Sequence, residues 1–441
     1  MLPPSTEAAD VVVIGGGPGG STISTLLAQQ GHRVVLVEKS SHPRFHIGES
    51  LLPANMPLFD KLGVADKVDA IGMEKWGATF VSPWHSFTGS FNFGEAMDPS
   101  LPMAYQVRRS DFDEILFRRA AEAGARTIEN CRVREVDLGD AARPPKVMAT
   151  DDQGRTYEWQ PKFVVDATGR DTLLANRLKV KRKNPRHNSA AVFGHFRNAH
   201  RDCGQLEGNI IIFWFDHGWF WFIPLKDGVT SVGAVVWPYY MKSRNKPVRD
   251  FFMDTIALCP ALAKRLECAE MVAEPEATGN YSYDCSLCQG ENFIMVGDAF
   301  AFVDPVFSSG VMLAMNSAFA GAEVVQARLA ADRAAEKAAR RRYERVMRVG
   351  PKEFSWFIYR VTNPTLRDLF MEPSEKLDMK KAVLSVLAGD IFRGTPIRKG
   401  LFWFRAAYYA MSIAHMRRTF TAWRRRAFNI RDESEMRPAG R

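Results

Sequence analysis

The sequence predicts an α/β fold: a Rossmann-like parallel sheet of dinucleotide-binding type, an inserted antiparallel sheet, and a helical C-terminal region. Three observations predict it. A β-branched run near the start of the chain leads into a glycine-rich turn and a helix. Two later apolar runs, at 163–166 and 293–296, end in small-residue turns of the same kind. Residues 209–237 form strands with side chains alternating by two, separated by turn residues.

The first unit runs from Asp10 to Lys39. Val11-Val12-Val13-Ile14 is the continuous β-branched run of a strand buried on both faces. Gly15, Gly17 and Gly20 then fall on G-x-G-x-x-G spacing. The first glycine permits the tight turn, the second lets backbone approach a pyrophosphate, and the third lets helix pack on strand. The helix that follows carries Ile23, Leu26 and Leu27 on one face and stops at Gly31. Its first N–H groups suit phosphate. Val34–Val37 is the second strand, and Glu38 stands at its end, where an acid binds ribose hydroxyls. The motif leaves NAD and FAD both open.

The chain of 441 residues, 46% hydrophobic and 25% charged, suits one large or two linked domains. Residues 1–9 have no basic, apolar leader, and no apolar run reaches the length of about 18 residues needed to span a bilayer. Of six cysteines only Cys285 and Cys288 stand close together, which is no zinc-site pattern. Free thiols in a cytoplasmic protein without a metal are expected. The net charge of +9 is uneven: residues 331–441 hold 25 Lys and Arg against 12 Asp and Glu. No nucleic-acid partner is expected.

After Glu38, the stretch from His42 through Arg44 to Gly48-Glu49-Ser50 reads as a loop entering a helix, with Ser50 as its N-cap or the loop as a cover for the cofactor. Lys75 precedes Trp76-Gly77-Ala78 at the start of a strand; by composition alone an isolated lysine belongs on the surface. Arg108 and Arg109 lead into a helix capped by Ser110, so Arg109 stands within reach of a phosphate. Asp166-Ala167-Thr168-Gly169 is a second close approach of backbone to the cofactor.

In 209–237, strands at 210–215, 219–225 and 229–237 are joined by Asp216-His217-Gly218 and Lys226-Asp227-Gly228. Period two puts Trp219, Trp221 and Ile223 on one face and Phe220 and Phe222 on the other. Paired indoles read as core or pocket wall. The run 293–299 ends in Gly297-Asp298. Asp304-Pro305 and Ser308-Ser309-Gly310 then open an apolar helix from Val311 to about Ala330. Small residues at a helix mouth suit an anion. Ala331 to Arg348 is Ala-, Arg- and Glu-rich and reads as a solvated helix. Leu401 to Phe428 reads as an aromatic, arginine-rich helix that caps the substrate pocket, with an anionic membrane or partner as the other occupant.

Together these residues resemble the flavin-dependent halogenases, within the FAD-dependent monooxygenase superfamily. The glycine motif, Arg44 with Gly48-Glu49-Ser50, Asp166 to Gly169, and Gly297-Asp298 with Asp304-Pro305 resemble the FAD module of flavoprotein monooxygenases of the glutathione-reductase type. Trp219-x-Trp221-x-Ile223-Pro224 is similar to the family's W-x-W-x-I-P signature, Lys75 with Trp76-Gly77-Ala78 to its active-site lysine, and Ser309-Gly310 to its chloride-binding Ser/Thr-Gly. Tryptophan halogenases carry a Glu before that element; here Phe307-Ser308 stands instead, so the chain resembles the phenol and pyrrole type.

The resemblance implies an FAD module over 1–330, with substrate-domain insertions at about 75–105 and 185–275, and a helical region over 331–441 closing the substrate side. It implies FAD contacts at Gly15, Gly17, Gly20, Glu38, Arg44, Glu49, Ser50, Arg109, Gly169, Asp298, Pro305, Gly310 and Val311. It implies halide at Ser309 and Gly310. It implies that FAD supplied as FADH2, with O2, oxidises chloride or bromide to hypohalous acid, that the acid reaches Lys75 and an electron-rich aromatic carbon attacks the halogen, and that Trp219 and Trp221 separate flavin from substrate. A separate flavin reductase and a phenol- or pyrrole-like substrate, free or on an acidic carrier protein, are the implied partners. A single-component aromatic hydroxylase is the competing reading.

Overall fold

In the computed structural model of the chain, residues 5, 6, 8–140, 142–279 and 282–430 are described. The ends of the predicted segments, at 1–4, 7 and 431–441, and most of the leader reading at 1–9 lie outside them.

Among the described residues, five strands make the predicted parallel sheet, in the order Phe293–Met295, Phe163–Asp166, Val11–Ile14, Val34–Val37, Arg126–Ile128. Val11, Val12 and Val13 are fully buried, as a strand covered on both faces requires. The helix Pro18–Gln29 starts directly from Gly17 and packs beside Gly310–Leu329. A side chain on Gly20 would meet the Gly15 carbonyl oxygen at 1.9 Å, so this glycine lets the helix lie on the turn.

The second sheet runs Glu270–Met271, Ala190–Arg197, Thr230–Val236, Gly218–Pro224, Ile210–Phe215, Gly77–Val81, Gly89–Asn92. It is antiparallel except at one place, where Ile210–Phe215 pairs in parallel with Gly77–Val81. That pairing joins two stretches distant in sequence into one sheet. The period-two reading holds: Trp219, Trp221 and Ile223 face one core cluster, and Phe220 and Phe222 face another. Both faces are buried, because helices such as Val248–Ala257 cover the second.

A further sheet, absent from the sequence expectation, is formed by Ser5–Thr6, Thr156–Trp159, Lys146–Asp151 and Cys131–Asp137. Three local expectations are corrected. Ser50 caps no helix: it bridges to Gln106, and the next α-helix, Met56–Leu62, follows a short turn at Pro53–Asn55. The helix Arg109–Glu122 starts one residue ahead of Ser110, whose hydroxyl donates to Asp111 instead. Ala331 to Arg348 is not simply solvated; it belongs to Arg333–Ile358, which buries Ala339, Tyr343 and Met347 against the parallel-sheet core.

The stretch 401–428 is two helices, Ile397–Ala414 and Met416–Asn429, broken at His415. The first packs Leu401, Phe404 and Tyr408 into the core beneath the large sheet, and the second lies largely exposed.

Candidate functional site

A cleft of about 500 Å³ runs from the glycine turn to the large sheet. At one end Glu38 closes the Val34–Val37 strand. Its carboxylate accepts from the Gly16 N–H at 2.7 Å and the Ser40 N–H at 3.0 Å, which fixes it beside the glycine turn. Arg44 stands 3.7 Å from Glu38 and 3.3 Å from Asp113. Gly15 is held at φ 104°, and a Cβ there would meet the Ala167 carbonyl oxygen at 2.4 Å. Asp166 is buried below this contact and accepts from the backbone of Thr168 and Leu174, which closes the second turn.

The cleft walls fit a bound dinucleotide. At Gly169 and Gly310 nothing lies within 4 Å of where a Cβ would stand, and at Gly17 only the Arg44 guanidinium does, at 3.6 Å. These three glycines line the cleft. Gly15 and Gly20 are tight against backbone, so the motif divides into glycines that build the turn and glycines that leave room for a ligand. Glu49 keeps one carboxylate oxygen on His195 at 2.8 Å, while the other is buried without a partner.

Arg109 is occupied structurally. It grips Asp113 with two bonds, at 2.8 and 3.0 Å, and donates to the Ile47 carbonyl at 2.9 Å. Burial raises the Asp113 carboxyl, but Arg109 beside it prevails and holds it below its ordinary value. Arg109 therefore fixes the 42–50 loop over the cleft. Asp298 is pushed up to about 6 by burial, against the pull of Arg109 and Arg170.

At the far end the helix Gly310–Leu329 opens toward the cleft. Ser308 takes a left-handed φ of 54°, which turns the chain into the helix without a side-chain cap or a first-turn acid. Asp304 shapes this turn: it accepts from Val306 N–H at 3.1 Å and from buried His187 at 2.8 Å. Trp219 and Trp221 form the wall opposite, with ring centroids 6.2 Å apart. The Trp221 indole donates to Ser231 at 3.1 Å and lies across Gly233, where a Cβ would stand 2.2 Å from the ring.

Lys75 is 1% exposed, not on the surface as its isolation in the sequence suggested. Its strand, Met73–Lys75, pairs with Ala104–Gln106. The ammonium donates to the Ser50 hydroxyl and the Leu51 carbonyl, both at 2.9 Å, and lies 5.3 Å from the Phe93 ring centroid. Burial without a carboxylate partner pulls its pKa down to about 7.

The cleft lining brings together Gly15, Gly17, Glu38, Arg44, Glu49, Ser50, Arg109, Gly169, Trp219, Trp221, Asp298, Pro305, Ser309, Gly310 and Val311. Gly20 and Lys75 are not on it: Gly20 packs the helix, and Lys75 stands one side chain behind, its hydrogen bond running to cleft-lining Ser50. Sequence reasoning missed His195, Gly233, Asp113, and the Phe354 and Ile358 walls from Arg333–Ile358. The cleft lining ends at Ile358; Leu401, Phe404 and Tyr408 of the C-terminal helices pack instead into the cluster that holds Phe93, Trp219 and Trp221. The apolar i, i+4 spacing of Phe354 and Ile358 was a usable signal; the pairing of His195 with Glu49 had none.

Comparison with known proteins agrees with this geometry. The model of the FAD binding domain family matches residues 8–348. The chain is 31% identical over 412 residues to the 1H-pyrrole-2-carbonyl-[peptidyl-carrier protein] chlorinase of Pseudomonas fluorescens, covering 87% of this chain and 90% of that one. It is 33% identical to the flavin-dependent halogenase gsfI of Penicillium aethiopicum, over 74% of this chain but only 66% of that longer protein. Among solved structures, the myxobacterial chondrochloren halogenase CndH aligns with a TM-score of 0.75 at 30% identity, over 91% of this chain and 97% of that one. A flavoprotein/dehydrogenase from Cytophaga hutchinsonii aligns at 0.85 and 28% identity, over 93% and 100%. Over this extent the fold is shared with these relatives, and the chain belongs to the flavin-dependent halogenases of the FAD-binding monooxygenase family.

Proposed function

We propose that this enzyme oxidises chloride or bromide and delivers the halogen through Lys75 to an electron-rich phenol- or pyrrole-like ring, borne by a carrier protein. The observation that carries this reading is the placement of a buried, carboxylate-free lysine directly behind a cleft that joins a dinucleotide turn to an indole pair. When bound, reduced FAD supplies the electrons with which O2 is activated to oxidise halide.

The chain's own residues do the rest. Glu38 and the Gly15–Gly20 turn hold the adenosine and pyrophosphate, with Gly17 leaving space for the phosphates. The helix mouth at Ser309 and Gly310 offers N–H groups and a positive dipole end to the halide. Trp219 and Trp221 fill the wall and keep an organic substrate from the oxygen-activating side, where it would be hydroxylated. Hypohalous acid is small enough to pass where an aromatic ring is not. Lys75, with its amine partly deprotonated near neutral pH, either donates a hydrogen bond to the acid or accepts halogen at Nζ. The carrier-borne substrate is supported by the name of the Pseudomonas relative and by Phe307-Ser308 in place of a glutamate.

The test supplies FADH2 from a separate flavin reductase, with chloride or bromide and a panel of free and carrier-bound phenols and pyrroles. Mass spectrometry reads the products. A chlorine or bromine isotope pattern, dependent on halide and on the reductase, is expected. NADPH consumption by the enzyme alone, giving a hydroxylated product without halide, selects the hydroxylase reading.

A further inference from the structure

A second cavity, of about 520 Å³, lies outside the cleft, between the Met416–Asn429 helix and the hairpin end of the large sheet. Its walls combine three indoles, Trp84, Trp214 and Trp237, with five arginines and a single acid, Asp216. The arginines are not balanced from within. Arg418 is paired with Asp368. Arg367 lies 3.6 Å over the Trp84 ring, is 6% exposed, and has a buried Nε with no partner. Arg426 donates to the Arg186 carbonyl at 2.8 Å, and its Nη1 is buried without a partner. Trp214 Nε1 is a third such donor. Neither Arg367 nor Arg426 has a carboxylate at salt-bridge distance among the described residues. Burying cations and donors without acceptors is costly unless an anion completes them.

The large sheet relates the cavity to the cleft. Trp214, on its wall, is the direct cross-strand partner of Trp219, on the wall of the cleft. Lys75 lies beyond the other end of the Trp214 strand, where the Trp76 N–H donates to Asn209 at 3.0 Å. Ile210 to Trp214 spans roughly 13 Å of extended chain. The cavity and the lysine thus stand toward opposite ends of one strand, with buried Ile212, Phe80 and Phe91 packed between them.

We propose that this cavity is a phosphoryl-binding subsite that holds the phosphodiester of a carrier protein's pantetheine arm. Forked guanidinium groups match phosphate oxygens, and indole faces suit the alkyl and amide portions of the arm. The subsite deepens the carrier-tethered reading above and rests on it. Arg417 and Arg425, exposed at the rim, supply the charge an arriving phosphate meets first.

Calorimetry on the full enzyme tests it with four probes: 4′-phosphopantetheine, pantetheine, inorganic phosphate, and vesicles of phosphatidylserine and phosphatidylcholine. The Arg417→Gln/Arg425→Gln double variant changes only exposed side chains, and an unchanged melting temperature confirms that it folds. 4′-Phosphopantetheine is expected to bind more tightly than either pantetheine or inorganic phosphate, and about tenfold less tightly to the double variant. Equal binding of pantetheine, or no loss in the variant, overturns the subsite. Inorganic phosphate binding as tightly as the arm overturns the arm as its source. Vesicle binding lost in the variant, with no binding of the arm, overturns it in favour of a membrane surface. The readout needs no turnover. An enzyme that binds the arm but yields no halogenated product refutes the halogenase chemistry and leaves the subsite standing.

Discussion

At the scale of single residues, Lys75 carries the account. A lysine in an apolar setting loses its charge more easily because burial penalises the ammonium, and no carboxylate here compensates. Its pKa of about 7, against 10.5 unperturbed, fixes a stability relation. As pH falls from 10.5 toward 7, the unfolded chain takes the proton first, so the folded state loses stability across that window; below 7 both states are protonated and the loss is constant. Lys75→Met therefore gains melting temperature over the native enzyme progressively between those limits, with a flat difference below, in a pH series of thermal unfolding. A constant difference throughout would mean an unshifted lysine. If Nζ must accept halogen, the halogenation rate rises with pH through about 7 while flavin oxidation does not. Ser50→Ala removes one of two acceptors of the ammonium, costs about 1 kcal/mol in chemical unfolding, and lowers the lysine's pKa further.

At the scale of elements, two devices hold the cleft in shape. The first is the 42–50 loop, tied down by Arg109 on the Ile47 carbonyl and by Glu49 on His195 of the large sheet. His195→Ala leaves buried Glu49 with both oxygens unpaired, a loss of about 1–3 kcal/mol. FAD affinity, read by flavin fluorescence, is expected to fall about tenfold. Unchanged affinity would separate this contact from cofactor binding. The second is the indole wall, whose position depends on Gly233. Gly233→Val drives a methyl into the Trp221 ring. Overpacking of that kind costs about 1–3 kcal/mol. The displaced wall is expected to raise the share of hydroxylated over halogenated product, read by mass spectrometry.

Much of this scale is legible in the sequence. Val11–Ile14, the glycine spacing and the alternation around Trp219 each follow from local physics, and each element forms where its pattern predicts. What local pattern cannot give is partnership across the fold. Lys75 reads as a surface residue because its burial depends on Ser50, Leu51 and Phe93, all remote along the chain. Gly233 is unremarkable until Trp221 lies across it. The sheet of Ser5–Thr6 with three strands in 131–159 is hard to read locally because its strands mix charged and apolar residues, although Gly139-Asp140, Pro144-Pro145 and Asp152-Gln153-Gly154 mark the turns between them.

At the scale of the whole molecule, the parallel pairing of Ile210–Phe215 with Gly77–Val81 makes one surface of two stretches distant in sequence. That surface sets the lysine, the indole pair and the arginine-lined cavity in a row, with the dinucleotide turn on the near side. The excess of basic charge in 331–441 was visible in composition, but its arrangement around a cavity was not. No helix among the described residues is long and apolar enough to cross a membrane. A positive surface steers an acidic partner most strongly at low ionic strength. Arg424 is exposed on the Met416–Asn429 helix, and turnover of a carrier-bound substrate by Arg424→Glu is accordingly expected to fall more at low salt than at high salt, with free substrates unaffected.

The most direct test of the central claim, that oxygen activation and halogen transfer occupy opposite sides of the indole wall and meet at Lys75, is the product balance of Lys75→Ala supplied with FADH2, O2, halide and substrate. FADH2 oxidation at the native rate is expected, with the oxidising equivalents released as peroxide or free hypohalous acid and no regiospecific halogenated product. Native levels of halogenated product from that variant would contradict it.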